Sequence, residues 1–124
     1  NNDAHIIQRG GKEPNYENHS IKVTLTALKE AEVNESIMVD ASHGNSQKKF
    51  KQQINVIEDI GKQITLGDHN LKGVMIESHI HEGNQKISSN LKYGQSITDA
   101  CINLEDTSVC FNTLDKAVQQ RRDS

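Results

Sequence analysis

Ser36-Ile37-Met38-Val39-Asp40-Ala41-Ser42-His43-Gly44-Asn45-Ser46 is the stretch that decides how this chain folds. Its first half is a short apolar run, which reads as a strand over residues 36–40. Its second half is polar and chemically reactive, and a helical pattern follows it. The same grammar appears on both sides. Ala4-His5-Ile6-Ile7-Gln8 runs into Arg9-Gly10-Gly11-Lys12-Glu13-Pro14-Asn15-Tyr16, and Gly73-Val74-Met75-Ile76 runs into Glu77-Ser78-His79. Strands are therefore expected over 4–9, 36–40 and 72–77. Repetition of strand, reactive end and helix predicts a parallel α/β sheet. Active sites of such sheets gather at the carboxyl ends of the strands.

The intervening segments carry helical spacing. Over 18–32, Ile21, Leu25 and Leu28 share one face. Over 47–65, Phe50, Ile54, Ile57, Ile60 and Ile64 follow the 3.6-residue period, with Ser46 as the expected N-cap. A last helix is expected over 105–121, with Val109, Phe111, Leu114, Ala117 and Val118 as its apolar positions and Arg121-Arg122 at its negative end. Between the third strand and this helix lies a long polar loop, 78–98. Loops of that length in compact domains are uncommon and usually functional.

Composition limits what such a sheet can do. The chain has 124 residues, 33% hydrophobic and 3% aromatic, with no Trp. Its mean hydropathy is −0.71. These values suit a thin apolar core under polar helix faces. A net charge of −3 offers no broad electrostatic case for nucleic acid or an anionic membrane. The two cysteines, Cys101 and Cys110, have no zinc-type or redox-motif spacing, which fits a reduced, cytoplasmic protein. No apolar run approaches the ~18 residues of a membrane span, and no leader peptide is visible.

Two clusters stand out as chemistry. His43, Glu77 and Asp99 lie just beyond strand two, at the end of strand three and after the long loop. An imidazole with two carboxylates suits a divalent transition metal, and parallel neighbours ~4.8 Å apart let adjacent strand ends share one ion. A capping His, a solvated Glu and a helix-start Asp fit the same spacing. Arg9-Gly10-Gly11-Lys12 is the second cluster. Glycine turns let backbone N–H groups approach an anion, and Arg offers a bidentate fork for phosphate. A tight turn with a solvated Arg fits equally, although Arg9 follows an apolar strand and its stem should be partly enclosed. Cys101 and Cys110 read as buried, inert thiols. His5 reads as structural, and His19, His69 and His81 as solvated. His79 could orient a ligand two residues from Glu77.

Taken in order, Arg9-Gly10-Gly11-Lys12-Glu13-Pro14-Asn15-Tyr16, Val39–Ser46, Gly73–His79, Glu82-Gly83-Asn84-Gln85 and Tyr93–Ile102 resemble the C-terminal part of type I 3-deoxy-D-arabino-heptulosonate 7-phosphate (DAHP) synthase. A related synthase of an eight-carbon sugar acid phosphate shares the barrel, but the Lys12–Tyr16 run favours the DAHP enzyme. The resemblance implies a (β/α)8 TIM barrel, of which residues 1–124 would be the last three βα units, a partial barrel if alone. It implies condensation of phosphoenolpyruvate with erythrose 4-phosphate, the first step of the shikimate pathway, by a homo-oligomer. By motif match, His43, Glu77 and Asp99 would be three of four ligands to a divalent metal (Mn, Fe, Co or Zn). Arg9, with Lys12 beside it, would bind substrate, Arg9 holding the phosphoenolpyruvate phosphate. The family's fourth ligand is a cysteine on an early strand, matched by neither Cys101 nor Cys110. Its catalytic lysine and its Lys-Pro-Arg loop for erythrose 4-phosphate also precede the matched segments. The chain is therefore expected to be inactive alone. A non-catalytic half-barrel that binds or self-assembles is the alternative.

Overall fold

The computed structural model describes residues 1–124. Strands and helices alternate as β1 (Ile6–Gln8), α1 (Asn18–Glu30), β2 (Ile37–Asp40), α2 (His43–Ser46), α3 (Gln52–Thr65), β3 (Leu71–Met75) and α4 (Leu104–Asp123). The three strands form one sheet in the order β1-β2-β3, both pairs parallel. The expected parallel α/β arrangement is present. The strands are shorter than their apolar runs, because β1 and β3 each have one unpaired edge and pairing stops where the partner does.

One face of the sheet carries the core. Ile37, Val39 and Ala41 are fully buried and pack with Ile21 and Leu28 of α1, Val56, Ile57, Ile60 and Ile64 of α3, and Cys110 and Ala117 of α4. Alternation along β2 sends Met38 and Asp40 to the other face. There Ile7 pairs with Met38 and Met38 with Gly73, and Ile7 and Met75 remain exposed. That second face has no layer packed on it.

The register between β2 and β3 slips once. Ile37 pairs with Leu71, but Met38 pairs with Gly73, so Lys72 is an extra residue in β3. The parity of β3 changes with it. Leu71 is in the core, and beyond the slip Val74 and Ile76 are the residues that pack against it. Such bulges re-aim the side chains that follow.

Two details depart from the sequence expectations. Ser46 does not cap the long helix; it is buried as the last residue of the short α2, and Lys51 occupies the N-cap of α3. The helix begins later because Gln47 and Lys48 adopt φ of 52° and 60°, which no right-handed helix can contain. In α4 the inward face is Thr107, Cys110 and Ala117, with Leu114 and Val118 partly buried, while Val109 and Phe111 are exposed. The i, i+3, i+7 row through Cys110 and Ala117 leaves those two outside it. The long loop after β3 is pinned by bridges: Ser78 to Ile102, Gly83 to Cys101 and Asn84 to Ser96.

The carboxyl ends of β1 and β2 approach closely through glycine. A Cβ on Gly10, where φ is +77°, would lie 2.5 Å from the Asn45 backbone nitrogen, and one on Gly44 would lie 2.6 Å from the Gly10 carbonyl carbon. Nothing lies within 4 Å of a Cβ at Gly11. Gly10→Ala is therefore expected to destabilise the chain by roughly 2–4 kcal/mol, from overlap and left-handed strain together. Gly11→Ala should stay within about 0.5 kcal/mol of the parent. Equilibrium urea unfolding of the two variants checks the contrast.

Candidate metal centre

The site is built where β2 ends. Asp40, its last residue, is buried, and its Oδ1 accepts the Ser42 N–H at 2.8 Å. This closes a tight turn and delivers His43 with φ of 48°. A left-handed conformation in a residue with a Cβ costs about 1–2 kcal/mol, and such strain collects at functional sites. The His43 Nδ1 lies 2.8 Å from Asp40 Oδ2. An ionised carboxylate only accepts, so this contact suits a hydrogen on Nδ1.

The other ring nitrogen faces the site. His43 Nε2 is 3.4 Å from Glu77 Oε1 and 3.3 Å from Asp99 Oδ2. One ligand atom from each of the three residues lies within 4.8 Å of the others. Three lone-pair-bearing atoms turned toward one another form a group that can hold a cation. Ligands bonded to one ion at ~2.0–2.2 Å sit roughly 3–3.6 Å apart, so the two distances from Nε2 and this N/O donor set fit a divalent metal. Asp99, with a side chain 65% exposed, is the least enclosed of the three. They line a cavity of about 270 Å³ together with Ser42, Lys48 and Phe50.

Glu77 is held from two sides. Its Oε2 accepts the Ser42 hydroxyl at 2.5 Å. Its backbone N–H donates to Gln53 Oε1 at 2.9 Å, and its carbonyl accepts from Gln53 Nε2 at 3.1 Å. Gln53 is fully buried in the first turn of α3. Asp40, Ser42 and Gln53 were not singled out from sequence. Gln53 had a readable signal: a polar residue on the apolar face of an amphipathic helix needs a buried partner.

The Arg9–Lys12 turn differs from its expectation. Arg9 and Lys12 are exposed, since β1 is an edge and nothing encloses the Arg stem. The two glycine N–H groups are already used inside the chain, Gly10 toward Asn15 Oδ1 and Gly11 toward the Glu13 carbonyl. An anion there would be met by the two cationic side chains rather than by backbone. His5 is exposed instead of structural, and His79 Nδ1 accepts from the Ile80 N–H rather than turning to Glu77. Cys101 and Cys110 are both free and buried. Burial pushes each thiol up, Glu77 and Asp99 adding to the effect at Cys101, Asp106 and Glu58 at Cys110.

Residues 1–112 match the model of the DAHP synthetase I family. The chain is 48% identical over 124 residues to the Phe-sensitive phospho-2-dehydro-3-deoxyheptonate aldolase of Escherichia coli K12, covering 98% of this chain and 35% of that protein. It is 48% identical over 120 residues to the Trp-sensitive phospho-2-dehydro-3-deoxyheptonate aldolase of Salmonella typhi, covering 95% and 34%. The structure of phospho-2-dehydro-3-deoxyheptonate aldolase from Francisella tularensis SCHU S4 superposes with a TM-score of 0.94 at 42% identity, over 98% of this chain and 36% of that one. The chain thus spans about a third of the length of these relatives.

Two outcomes follow from this geometry. Gln53→Leu strands a backbone donor and an acceptor at Glu77, each worth about 1–3 kcal/mol, and should lower the melting temperature while Gln52→Leu, on a more exposed position, does not. The raised thiols keep Cys101 and Cys110 protonated in the fold. Their contribution to stability is present below the ordinary thiol range of ~8.5 and is lost as pH rises above it. Iodoacetamide at neutral pH should therefore spare both in the folded chain and label both after unfolding, read by mass spectrometry.

Proposed function

The chain belongs to the DAHP synthetase I family, and from that premise we propose that it is the metal-carrying C-terminal part of a TIM-barrel DAHP synthase. The reaction is condensation of phosphoenolpyruvate with erythrose 4-phosphate, releasing phosphate. The convergence of His43 Nε2 with the Glu77 and Asp99 carboxylates at the carboxyl end of a parallel sheet carries this reading.

In it, those three side chains hold a divalent ion, Mn, Fe, Co or Zn. When bound, the ion supplies Lewis acidity toward the aldehyde oxygen or a bound water. The residues of the chain do the rest of its share. The Asp40 carboxylate and the strained turn aim the imidazole. Ser42 and Gln53 fix the Glu77 carboxylate and its backbone. Arg9 and Lys12, free at the end of β1, offer a charged fork to the phosphate of phosphoenolpyruvate. The catalytic lysine and the erythrose 4-phosphate loop belong to the portion of the relatives that this chain does not span. A second reading, a self-assembling half-barrel without catalysis, is favoured by the exposed Ile6, Ile7 and Met75 beside the free strand edge.

The 124-residue chain alone is expected to turn over neither substrate. Joined to the preceding two-thirds of a relative, it should condense them. In that assembled enzyme, His43→Ala and Glu77→Ala should lose metal content and activity together, measured by elemental analysis and by consumption of phosphoenolpyruvate. Arg9→Ala should raise the KM for phosphoenolpyruvate roughly 10–100-fold, the worth of a charge-assisted hydrogen bond. Wild-type metal content in both ligand variants would overturn the reading. Sedimentation equilibrium separates the alternative, which requires a discrete oligomer of the lone chain.

A further inference from the structure

The metal reading of His43, Glu77 and Asp99 leaves Asp40 outside the ligand set, yet Asp40 touches the supports of both better-enclosed ligands. Its side chain is 4% exposed, with no Lys or Arg within ion-pairing distance. A buried carboxylate is costly unless its oxygens are paired. Oδ2 takes the His43 Nδ1 hydrogen at 2.8 Å. Oδ1 takes the Ser42 N–H at 2.8 Å. Ser42 in turn donates its hydroxyl to Glu77 Oε2. One carboxylate thus reaches one ligand directly and a second through a single intervening residue.

We infer that Asp40 is the positioning residue of this centre: it fixes the His43 tautomer that exposes the Nε2 lone pair, and through Ser42 it sets the Glu77 carboxylate. The inference rests on the metal reading above for its consequence, but its immediate content is a property of the metal-free chain. Neutral imidazole has one N–H. Asp40 Oδ2 at 2.8 Å is a nearer partner than the Glu77 and Asp99 oxygens at 3.4 and 3.3 Å from Nε2, so that hydrogen is drawn to Nδ1, and Nε2 faces the carboxylates as a donor atom for a cation. An Asn at position 40 has only one acceptor oxygen. The buried Ser42 N–H must be paired and claims it. The Asn NH₂ then turns to His43 Nδ1, which becomes the acceptor, and the ring hydrogen moves to Nε2. The ligand lone pair is gone although no ligand has been changed. Outer partners of this kind typically contribute 10–100-fold to metal affinity.

The test uses the 124-residue chain with ¹⁵N-labelled histidine, free of metal, at an alkaline pH where imidazole is neutral. The ring ¹⁵N shifts report the tautomer, and Mn²⁺ titration against a chelator reports affinity. The parent should show Nδ1–H at His43. Asp40→Asn should show Nε2–H and bind Mn²⁺ 10–100-fold more weakly. Ser42→Ala should keep Nδ1–H and lose less affinity, since only the Glu77 contact goes. Nε2–H in the parent overturns the inference whether or not Asp40→Asn folds. So does a folded Asp40→Asn with an unchanged tautomer and Mn²⁺ affinity within twofold. If the parent binds no Mn²⁺ while the tautomer flips as described, three ligands do not hold the ion without the fourth, and the positioning by Asp40 stands.

Discussion

The side chain of Asn45 ties together the ends of β1 and β2 and the turn that follows β1. Its Nδ2 donates to the carbonyls of Gln8 and Asp40, the last residues of β1 and β2, at 3.0 and 2.8 Å. Its Oδ1 accepts the Asn15 N–H at 2.7 Å, and its own N–H donates to the Arg9 carbonyl at 3.2 Å. Strand ends leave carbonyls that the sheet cannot pair, and burial without partners would cost about 1–3 kcal/mol each. One fully buried amide satisfies them and, in the same act, sets the distance between the Arg9 turn and the His43 turn. The glycine contact between Gly10 and Gly44 is what allows Asn45 that close. The Arg9 turn and the His43 turn are therefore one construction and not two neighbouring ones.

Much of this was legible in the chain. Apolar runs ending in polar clusters gave three parallel strands, and the row from Ile57 to Ile64 gave α3. The nearness of His43 and Glu77 was legible because parallel topology places strand ends side by side; Asp99 joins them from the long loop, and the three side chains converge. The supports were not. Asn45 and Ser42 sit in a polar stretch where any residue looks like loop, and their value lies in long-range bonds that no local pattern encodes. Ser46 failed as a cap because a preference for Ser at N-caps is weaker than the left-handed turn at Gln47 and Lys48, which postpones the helix. Val109 and Phe111 misled because apolar composition was read without asking which row of α4 faces α3.

The molecule is lopsided in a way its composition anticipates. Helices cover the sheet on the side of Ile37, Val39 and Ala41, and the side of Ile7, Met38 and Met75 carries no layer. A parallel sheet is normally covered on both faces or closed on itself. Relatives about three times as long have the chain with which to do so. No helix here is long and apolar enough to cross a membrane.

The one-residue slip at Lys72 has a reach out of proportion to its size. Side chains along a strand alternate, so an added residue inverts the sense of everything downstream. Had β3 continued in the phase of Ile37 and Leu71, Glu77 would point with Val39 and Ala41 into the hydrocarbon between sheet and helices, and Ile76 would take the side that Glu77 now faces. The inserted residue acts as a half-turn switch, several residues upstream of the atom it aims. A carboxylate and an isoleucine trade sides by the insertion of one lysine, so the length of this strand decides which way the acid just beyond it faces.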